Sequence, residues 1–156
     1  MADLYVAHMP AAIRLAFVLT GSRDDAEDLA QEAFIRTAGR FADLRNRDAF
    51  PAYLRRAVVN ASKMRYRRRA VATRHEPIVW PGELQATPTL GIEERDRLAR
   101  ALLTLPERQR AALALRFYCD LSEAETADIL GCRRGTVKSL VSRGVEAMRT
   151  ALGGMP

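Results

Sequence analysis

The stretch that decides the fold of the second half is residues 121–148, LSEAETADILGCRRGTVKSLVSRGVEAM. Ser122 and Glu125 have the spacing of a capping box, which predicts that a short helix begins near residue 122. Gly131 interrupts this helix near residue 130, and a longer basic helix follows over about 133–150. A short helix, a glycine turn and a longer basic helix are the pattern of a helix-turn-helix.

The longer helix of this pair separates an apolar stripe from a polar face. Its apolar stripe is formed by Val137, Val141, Gly144, Val145 and Met148, which recur at helical spacing. The N-terminal part of a recognition helix reaches base edges in the major groove, where arginine can grip guanine with two hydrogen bonds. The polar face therefore predicts DNA contacts, with base reading expected first at Arg133 and Arg134. The full predicted set is Arg133, Arg134, Thr136, Lys138, Ser139 and Arg143. Leu140 either touches a thymine methyl group or packs against a neighbouring helix.

Helical periodicity also dominates the rest of the chain, so the predicted fold class is all-α. Further helices are expected over about 3–19, from 22–24 to 41, and over 49–69, 93–104 and 106–118. Residues 73–93 contain three prolines and two glycines, which is typical of a flexible linker. We therefore predict two small helical domains, residues 1–72 with three to four helices and residues 94–152 with four, joined by the linker 73–93.

The predicted buried faces of the N-terminal domain follow from the apolar spacing. In the second helix they are Ala26, Leu29, Ala30, Ala33, Phe34, Thr37 and Phe41. In the third helix they are Phe50, Tyr53, Leu54, Ala57, Val58, Ala61 and Met64, with Asp48 as a candidate cap. The second helix also has a predicted outer stripe, and Asp24, Asp28, Gln31, Glu32 and Ile35 form it.

Charge is distributed unevenly along the 156 residues, whose formal net charge is +6. Five acids fall within residues 24–32, whereas residues 49–75 contain no acid and eight cations. All basic residues except Lys63 and Lys138 are arginine, which suits phosphates and guanine edges. A basic protein of this size is expected first to bind nucleic acid.

Several functional classes lack their sequence signatures. Asp3, His8 and Arg14 interrupt any signal peptide or membrane-spanning core in the first twenty residues. Cys119 and Cys132 form no CxxC pair, so we expect no metal site and no cofactor. Hydrolase and nucleotide-binding motifs are absent from the sequence. We therefore expect a cytoplasmic protein that is not an enzyme.

Both halves carry motifs at the spacing of one protein family. In the C-terminal half they are Leu105-Pro106, Gln109-Arg110, Leu121-Ser122, Ala127, Leu130-Gly131 and residues 135–139 (GTVKS). In the N-terminal half they are residues 25–32 (DAEDLAQE), residues 52–56 (AYLRR), Asn60 and residues 67–69 (RRR). On these motifs the chain resembles a bacterial RNA polymerase sigma factor of the extracytoplasmic-function group of the sigma-70 family. The resemblance covers about residues 5–72 and 94–152.

The resemblance implies a dissociable subunit that directs the polymerase core to specific promoters and assists promoter opening. It implies that the second helix docks on the polymerase core, with the beta and beta-prime subunits as partners, and that the recognition helix binds the minus-thirty-five element. The implied docking residues are Asp25, Asp28, Gln31, Glu32 and Ile35. The implied minus-ten residues are Arg45, Asn46, Arg47, Arg55, Arg56, Asn60, Lys63, Arg67 and Arg68. An anti-sigma factor is a further candidate partner, and no membrane insertion is implied.

Two other functions fit the same helices. A stand-alone helix-turn-helix repressor or activator would bind a palindromic duplex as a dimer without the polymerase. A scaffold without promoter activity would bind polymerase or a regulator without supporting transcription. Trp80, in the linker, either anchors that segment in the polymerase or packs against a domain of the free protein.

Overall fold

The computed structural model describes residues 2–41, 47–69 and 91–153, without the side chains of residues 66–69 and Ile92. The N-terminal helices are α1 (Ala2–Thr20), α2 (Arg23–Phe41) and α3 (Phe50–Arg69), with a 3₁₀ turn over Arg47–Ala49 before α3. The C-terminal helices are α4 (Ile92–Leu103), α5 (Glu107–Leu113), α6 (Glu123–Leu130) and α7 (Arg134–Ala151), with a π-helical segment over Ala114–Tyr118 after α5. No strand occurs in these ranges, and the helices belong to two compact units. The all-α prediction is confirmed.

The first unit is a bundle in which α1, α2 and α3 all contact one another. Gly21 ends α1 with a φ of 69°, and its N–H donates to the Phe17 carbonyl at 2.7 Å. The Ser22 hydroxyl then accepts from the N–H of Asp25 at 3.3 Å and begins α2. Every residue predicted for the inner stripe of α2 is buried. The N-terminal helix boundaries thus follow from local capping, and α2 is oriented by its apolar stripe.

Helix α1 is long and apolar enough to cross a membrane when judged by length and composition alone. In the structure it is part of the bundle core, because Leu15, Phe17 and other apolar side chains are buried against the rest of the unit. Pro10 lies inside this helix. The burial of these side chains identifies α1 as a core helix of the bundle.

The buried stripe of α3 differs from the predicted one. Phe50, Leu54, Val58 and Ala61 are buried as predicted, but Tyr53 is 49% exposed and Met64 is 55% exposed. Ala57 is only half-buried, and the core side also includes Val59 and Ser62. The hydroxyl of Ser62 donates to the Val59 carbonyl at 2.7 Å, which allows a polar residue in the core. The prediction that Tyr53 and Met64 belong to the core was wrong, because α3 presents a neighbouring stripe to α1 and α2.

The second unit contains the predicted helix-turn-helix. The Ser122 hydroxyl accepts from the N–H of Glu125 at 3.0 Å, and the Glu125 carboxylate accepts from the N–H of Ser122 at 3.2 Å, which completes the capping box. Gly131 ends α6 with a φ of 67°. Val137 and Gly144 face the core from α7, and a Cβ added at Gly144 would lie 3.0 Å from Leu113 Cδ1. Glycine therefore allows α7 to approach α5 closely.

A buried arginine joins α4 to α5. The side chain of Arg110 is buried, and its guanidinium donates to the carbonyls of Leu102 at 2.9 Å, Leu103 at 3.1 Å and Leu105 at 3.0 Å. The carbonyls of Leu102 and Leu103 lie at the end of α4, where helix carbonyls lack intrahelical donors, and the carbonyl of Leu105 lies in the turn before α5. Arg110 therefore caps α4 from the following helix.

Most of the predicted linker lies outside the described residues, and so does Trp80. Gly91 is the N-cap of α4, whose first residue is Ile92. The helix predicted from residue 93 thus begins one residue earlier.

Candidate protein and nucleic-acid interfaces

The exposed face of α2 carries four of the five residues predicted for docking. Asp28, Gln31 and Ile35 are exposed, and Glu32 is partly exposed. We call Asp28, Gln31, Glu32 and Ile35 the acidic stripe. The fifth predicted residue, Asp25, is only 14% exposed and faces Arg65 of α3. The structure thus places Asp25 apart from the stripe.

Two arginines hold carboxylates at this face. One carboxylate oxygen of Glu32 lies 2.8 Å from Arg36 Nη2, and the other lies 3.9 Å from Arg65 Nη2. Arg65 Nη1 lies 3.4 Å from Asp25 Oδ1. Glu32 is therefore positioned by cations from both α2 and α3.

A basic groove runs between the second half of α2 and the first half of α3. It contains a partly open cavity of about 130 Å³. The groove is lined by Arg36, Thr37, Arg40, Phe41, Tyr53, Arg56, Ala57 and Asn60. The rings of Phe41 and Tyr53 meet edge to face, with centroids 5.0 Å apart. The groove combines three guanidinium groups, one amide and a half-exposed aromatic ring, the groups that bind phosphates and unstacked bases.

Sequence reasoning identified only part of this groove. Arg56 and Asn60 were predicted as minus-ten residues, whereas Arg36 and Arg40 were missed. These two arginines are one helical turn apart on α2, directly after the acidic segment, and this i, i+4 spacing was the available signal. Packing of α2 on α3 then places them opposite Arg56 and Asn60.

The other predicted minus-ten residues occupy varied positions. Lys63 follows Asn60 by three residues, so both lie on one face of α3, while Arg55 is half-buried on a neighbouring face. Arg47 Nη2 lies 2.7 Å from Asp3 Oδ2 in an exposed ion pair. The resemblance also implies a base pocket in the loop over about residues 43–48, and residues 43–46 of that loop, with Arg45 and Asn46, lie outside the described residues. Arg67 and Arg68 are in α3, but their side chains are not among those described.

The recognition helix α7 exposes most of the residues predicted for the minus-thirty-five element. Arg133, Arg134, Lys138, Ser139 and Arg143 are exposed, and Thr136 is half-buried. Leu140 is half-buried as well. Arg133 is the N-cap residue but makes no side-chain capping hydrogen bond. Lys138 Nζ lies 3.9 Å from Glu123 Oε2 of α6. The structure thus gathers these residues at the N-terminal half of one helix.

No group of three or more histidine, cysteine, aspartate or glutamate side chains that could hold a metal occurs in the described parts of the chain. Cys119 and Cys132 are free thiols and half-buried, and both lie just outside helices. From the sequence, these cysteines were expected to be buried thiols within helices, with redox-sensitive thiols as the alternative, and the position of both outside helices does not meet that expectation.

Comparison with known proteins gives matches over both units. Residues 4–71 match the family described as Sigma-70 region 2, and residues 95–148 match Sigma-70, region 4. The "ECF RNA polymerase sigma factor SigM" of Mycobacterium tuberculosis is 34% identical, over 97% of this chain and 76% of the relative. The "RNA polymerase sigma-E factor" of Streptomyces coelicolor is 33% identical, over 91% of this chain and 80% of the relative.

A solved structure is similar along nearly the whole chain. It is the sigma factor RpoE of Bartonella quintana in complex with the anti-sigma factor NepR, with a TM-score of 0.70 and 25% identity. The similarity covers 97% of this chain and 95% of that one. Together, the family matches and these relatives show that the chain belongs to the extracytoplasmic-function sigma factors of RNA polymerase, within the sigma-70 family.

Proposed function

We propose that this sigma factor docks on the polymerase core through the acidic stripe of α2 and contacts promoter DNA through the basic groove and α7. The observation that carries the proposal is the change of charge along α2. Acids occupy its first half, and Arg36 and Arg40 of its second half line the groove with α3. One helix thus offers a surface for a basic protein partner beside a surface for DNA.

The basic groove is suited to the minus-ten element. Promoter opening requires that a base leave the stack and be held elsewhere, at a cost of a few kcal/mol. A cavity of about 130 Å³ beside Tyr53 and Asn60 offers stacking and hydrogen-bonding groups, and the arginines around it offer phosphate contacts. We assign Arg36 and Arg40 to this surface together with Arg56, Asn60 and Lys63.

Substitution of Arg40 tests this assignment. We expect Arg40→Gln to weaken binding of promoter DNA by the holoenzyme and to reduce the slope of log K against log salt by about 0.7 to 0.9, the effect of one lost phosphate contact. The measurement is fluorescence anisotropy of labelled promoter DNA at several salt concentrations. Arg23→Gln, at the other end of α2 and paired with Glu27, is the matched control. An unchanged slope for Arg40→Gln would exclude Arg40 from the DNA surface.

The recognition helix is assigned to the minus-thirty-five element, with Arg134 as a base reader. We expect Arg134→Ala to cost about 1 to 3 kcal/mol on the preferred promoter and to relax selection at one base pair. Lys138→Ala is the comparison, since a phosphate contact weakens binding equally on all sequences. Duplexes with single base-pair changes in the upstream element provide the measurement. Equal loss on every duplex for Arg134→Ala would make Arg134 a phosphate contact.

We also propose a regulatory partner and a cellular location for this sigma factor. The Bartonella quintana relative was solved with an anti-sigma factor, and we propose that a protein of this kind binds the present chain. Sigma factors are regulatory DNA-binding proteins, and we propose that this one has no catalytic activity of its own. It acts with the polymerase in the cytoplasm.

A further inference from the structure

Arg65 occupies an unusual position on α3. The buried residues Phe50, Leu54, Val58 and Ala61 recur every three or four residues, and the next position in this series is Arg65. Its side chain is only 27% exposed. A buried cation lowers the stability of the fold unless its charge is paired and its N–H groups are hydrogen-bonded.

The pairing of Arg65 joins the two helices. Arg65 Nη1 donates to the backbone carbonyl and to Oδ1 of Asp25, both at 3.4 Å. Arg65 Nη2 lies 3.9 Å from Oε2 of Glu32, seven residues and two turns further along α2. The planar guanidinium fork therefore contacts the beginning of α2 and the acidic stripe together, which a lysine ammonium cannot do.

We propose that Asp25 and Arg65 form an internal pair that positions Glu32 for the polymerase, so that Asp25 acts through Arg65 and does not touch the core enzyme. The proposal rests on the docking role of the acidic stripe and changes the role expected for Asp25. Asp25 holds one amino group of the Arg65 guanidinium. The other amino group of Arg65 then restricts the side-chain conformations of Glu32. Holding a long side chain in place before binding lowers the entropy lost on association.

A double-mutant cycle on core binding separates these roles. The variants are Asp25→Asn, Arg65→Met and the double variant of the full chain, each titrated with RNA polymerase core. We expect each single substitution to weaken binding by roughly fivefold to tenfold, and the double variant to bind no more weakly than the weaker single variant. Asp28→Asn combined with Arg65→Met is the matched control. The fold losses of core affinity from these two substitutions should multiply, because Asp28 is not among the partners of Arg65.

A second substitution separates positioning from a loss of folding. Arg65→Lys keeps the charge but loses the fork, so it should recover part of the affinity lost in Arg65→Met. The cycle with Asp25→Asn is repeated in the Arg65→Lys background, which keeps the comparison intact if Arg65→Met fails to fold. Thermal unfolding of every variant accompanies the titrations. A coupling between residues 25 and 65 in variants that remain folded supports the positioning role.

Three results would overturn the inference. In the first, Asp25→Asn lowers core affinity as much in the Arg65→Met or Arg65→Lys variant as in the unsubstituted chain, which would mean that Asp25 touches the polymerase directly. Full affinity in both single variants would mean that the pair positions nothing. Equal coupling of Arg65 to Asp28 would mean that Arg65 supports the helix as a whole. Failure of the docking proposal is recognised separately, because Asp28→Asn would then leave core binding unchanged.

Discussion

Reversal of Asp28 and Glu32 to lysine is expected to weaken binding of the polymerase core by about 100-fold or more. Asp28 is exposed and Glu32 is partly exposed, so the substitutions leave the buried stripe from Ala26 to Phe41 intact, while lysine at position 32 also faces Arg36 and Arg65. Each replaces an attraction to a basic partner surface by a repulsion, and about 1.4 kcal/mol for each residue is sufficient for 100-fold. The measurement is a titration of labelled protein with core enzyme at low and at moderate salt.

The control for this experiment reverses two exposed acids of the other unit, Glu93 and Glu94 at the start of α4. This variant carries the same change in net charge, so a general electrostatic effect would appear in both proteins. We expect core affinity to fall much more when Asp28 and Glu32 are reversed than when Glu93 and Glu94 are reversed, and this loss of affinity should diminish as salt is added. Undiminished core binding by the variant with lysine at positions 28 and 32 would contradict the docking assignment.

Replacement of Arg110 by methionine is expected to destabilise the C-terminal unit by about 3 kcal/mol. Arg110 is 4% exposed and donates to three carbonyls, two at the end of α4 and one in the turn before α5. A hydrogen bond from a charged group contributes about 1.5 to 3 kcal/mol, and the Leu103 and Leu105 carbonyls lose the guanidinium as a donor, whereas the Leu102 carbonyl still accepts from the N–H of Leu105. In a unit of this size the midpoint of thermal unfolding should fall by roughly 12 to 24 °C.

Circular dichroism melts of the full chain measure this shift, and hydrogen exchange of α4 to α7 assigns it to the C-terminal unit. Arg108→Met, two residues earlier and exposed, is the matched control and should melt like the unsubstituted chain. Arg110→Lys should give an intermediate loss, because one ammonium group cannot reach all three carbonyls. A melt of Arg110→Met that coincides with that of Arg108→Met would show that the three hydrogen bonds contribute little.

Local sequence signals predicted the helix boundaries and one of the two buried stripes of the N-terminal unit well. The capping box at Ser122 and Glu125 and the glycine stop at residue 131 depend only on neighbouring residues, and both are present in the structure. The buried face of α2 was also predicted, because its opposite face is acidic and leaves no competing apolar stripe. A helix with one apolar face can be oriented from its sequence alone.

Helix α3 was harder to orient because it carries two adjacent apolar stripes. Tyr53 and Met64 were assigned to the core, yet the packing of α1 and α2 selects the stripe that contains Val59 and Ser62. This stripe was not recognised from the sequence because it contains the polar residue Ser62. Arg65 was interpreted only as one of the eight cations of residues 49–75. The contacts of Arg65 with Asp25 and of Arg110 with α4 depend on tertiary packing, so periodicity cannot reveal them.

The candidate site was predicted in its parts but not in its arrangement. The acidic segment, Arg56, Asn60 and the polar face of α7 were all identified from the sequence. The groove also needed Arg36 and Arg40, which come from the helix that was assigned to protein docking. The division of one helix between two partners is visible only when α2 and α3 are packed together.

The most direct test of the sigma-factor function is reconstituted transcription. Purified protein is mixed with bacterial polymerase core and fragmented genomic DNA, and the 5′ ends of the transcripts are mapped. We predict starts that share two spaced upstream motifs and that disappear when the protein is omitted. Core binding without new starts, or specific binding of bare DNA without any binding of core, would contradict the assignment of this chain as the promoter-specificity subunit.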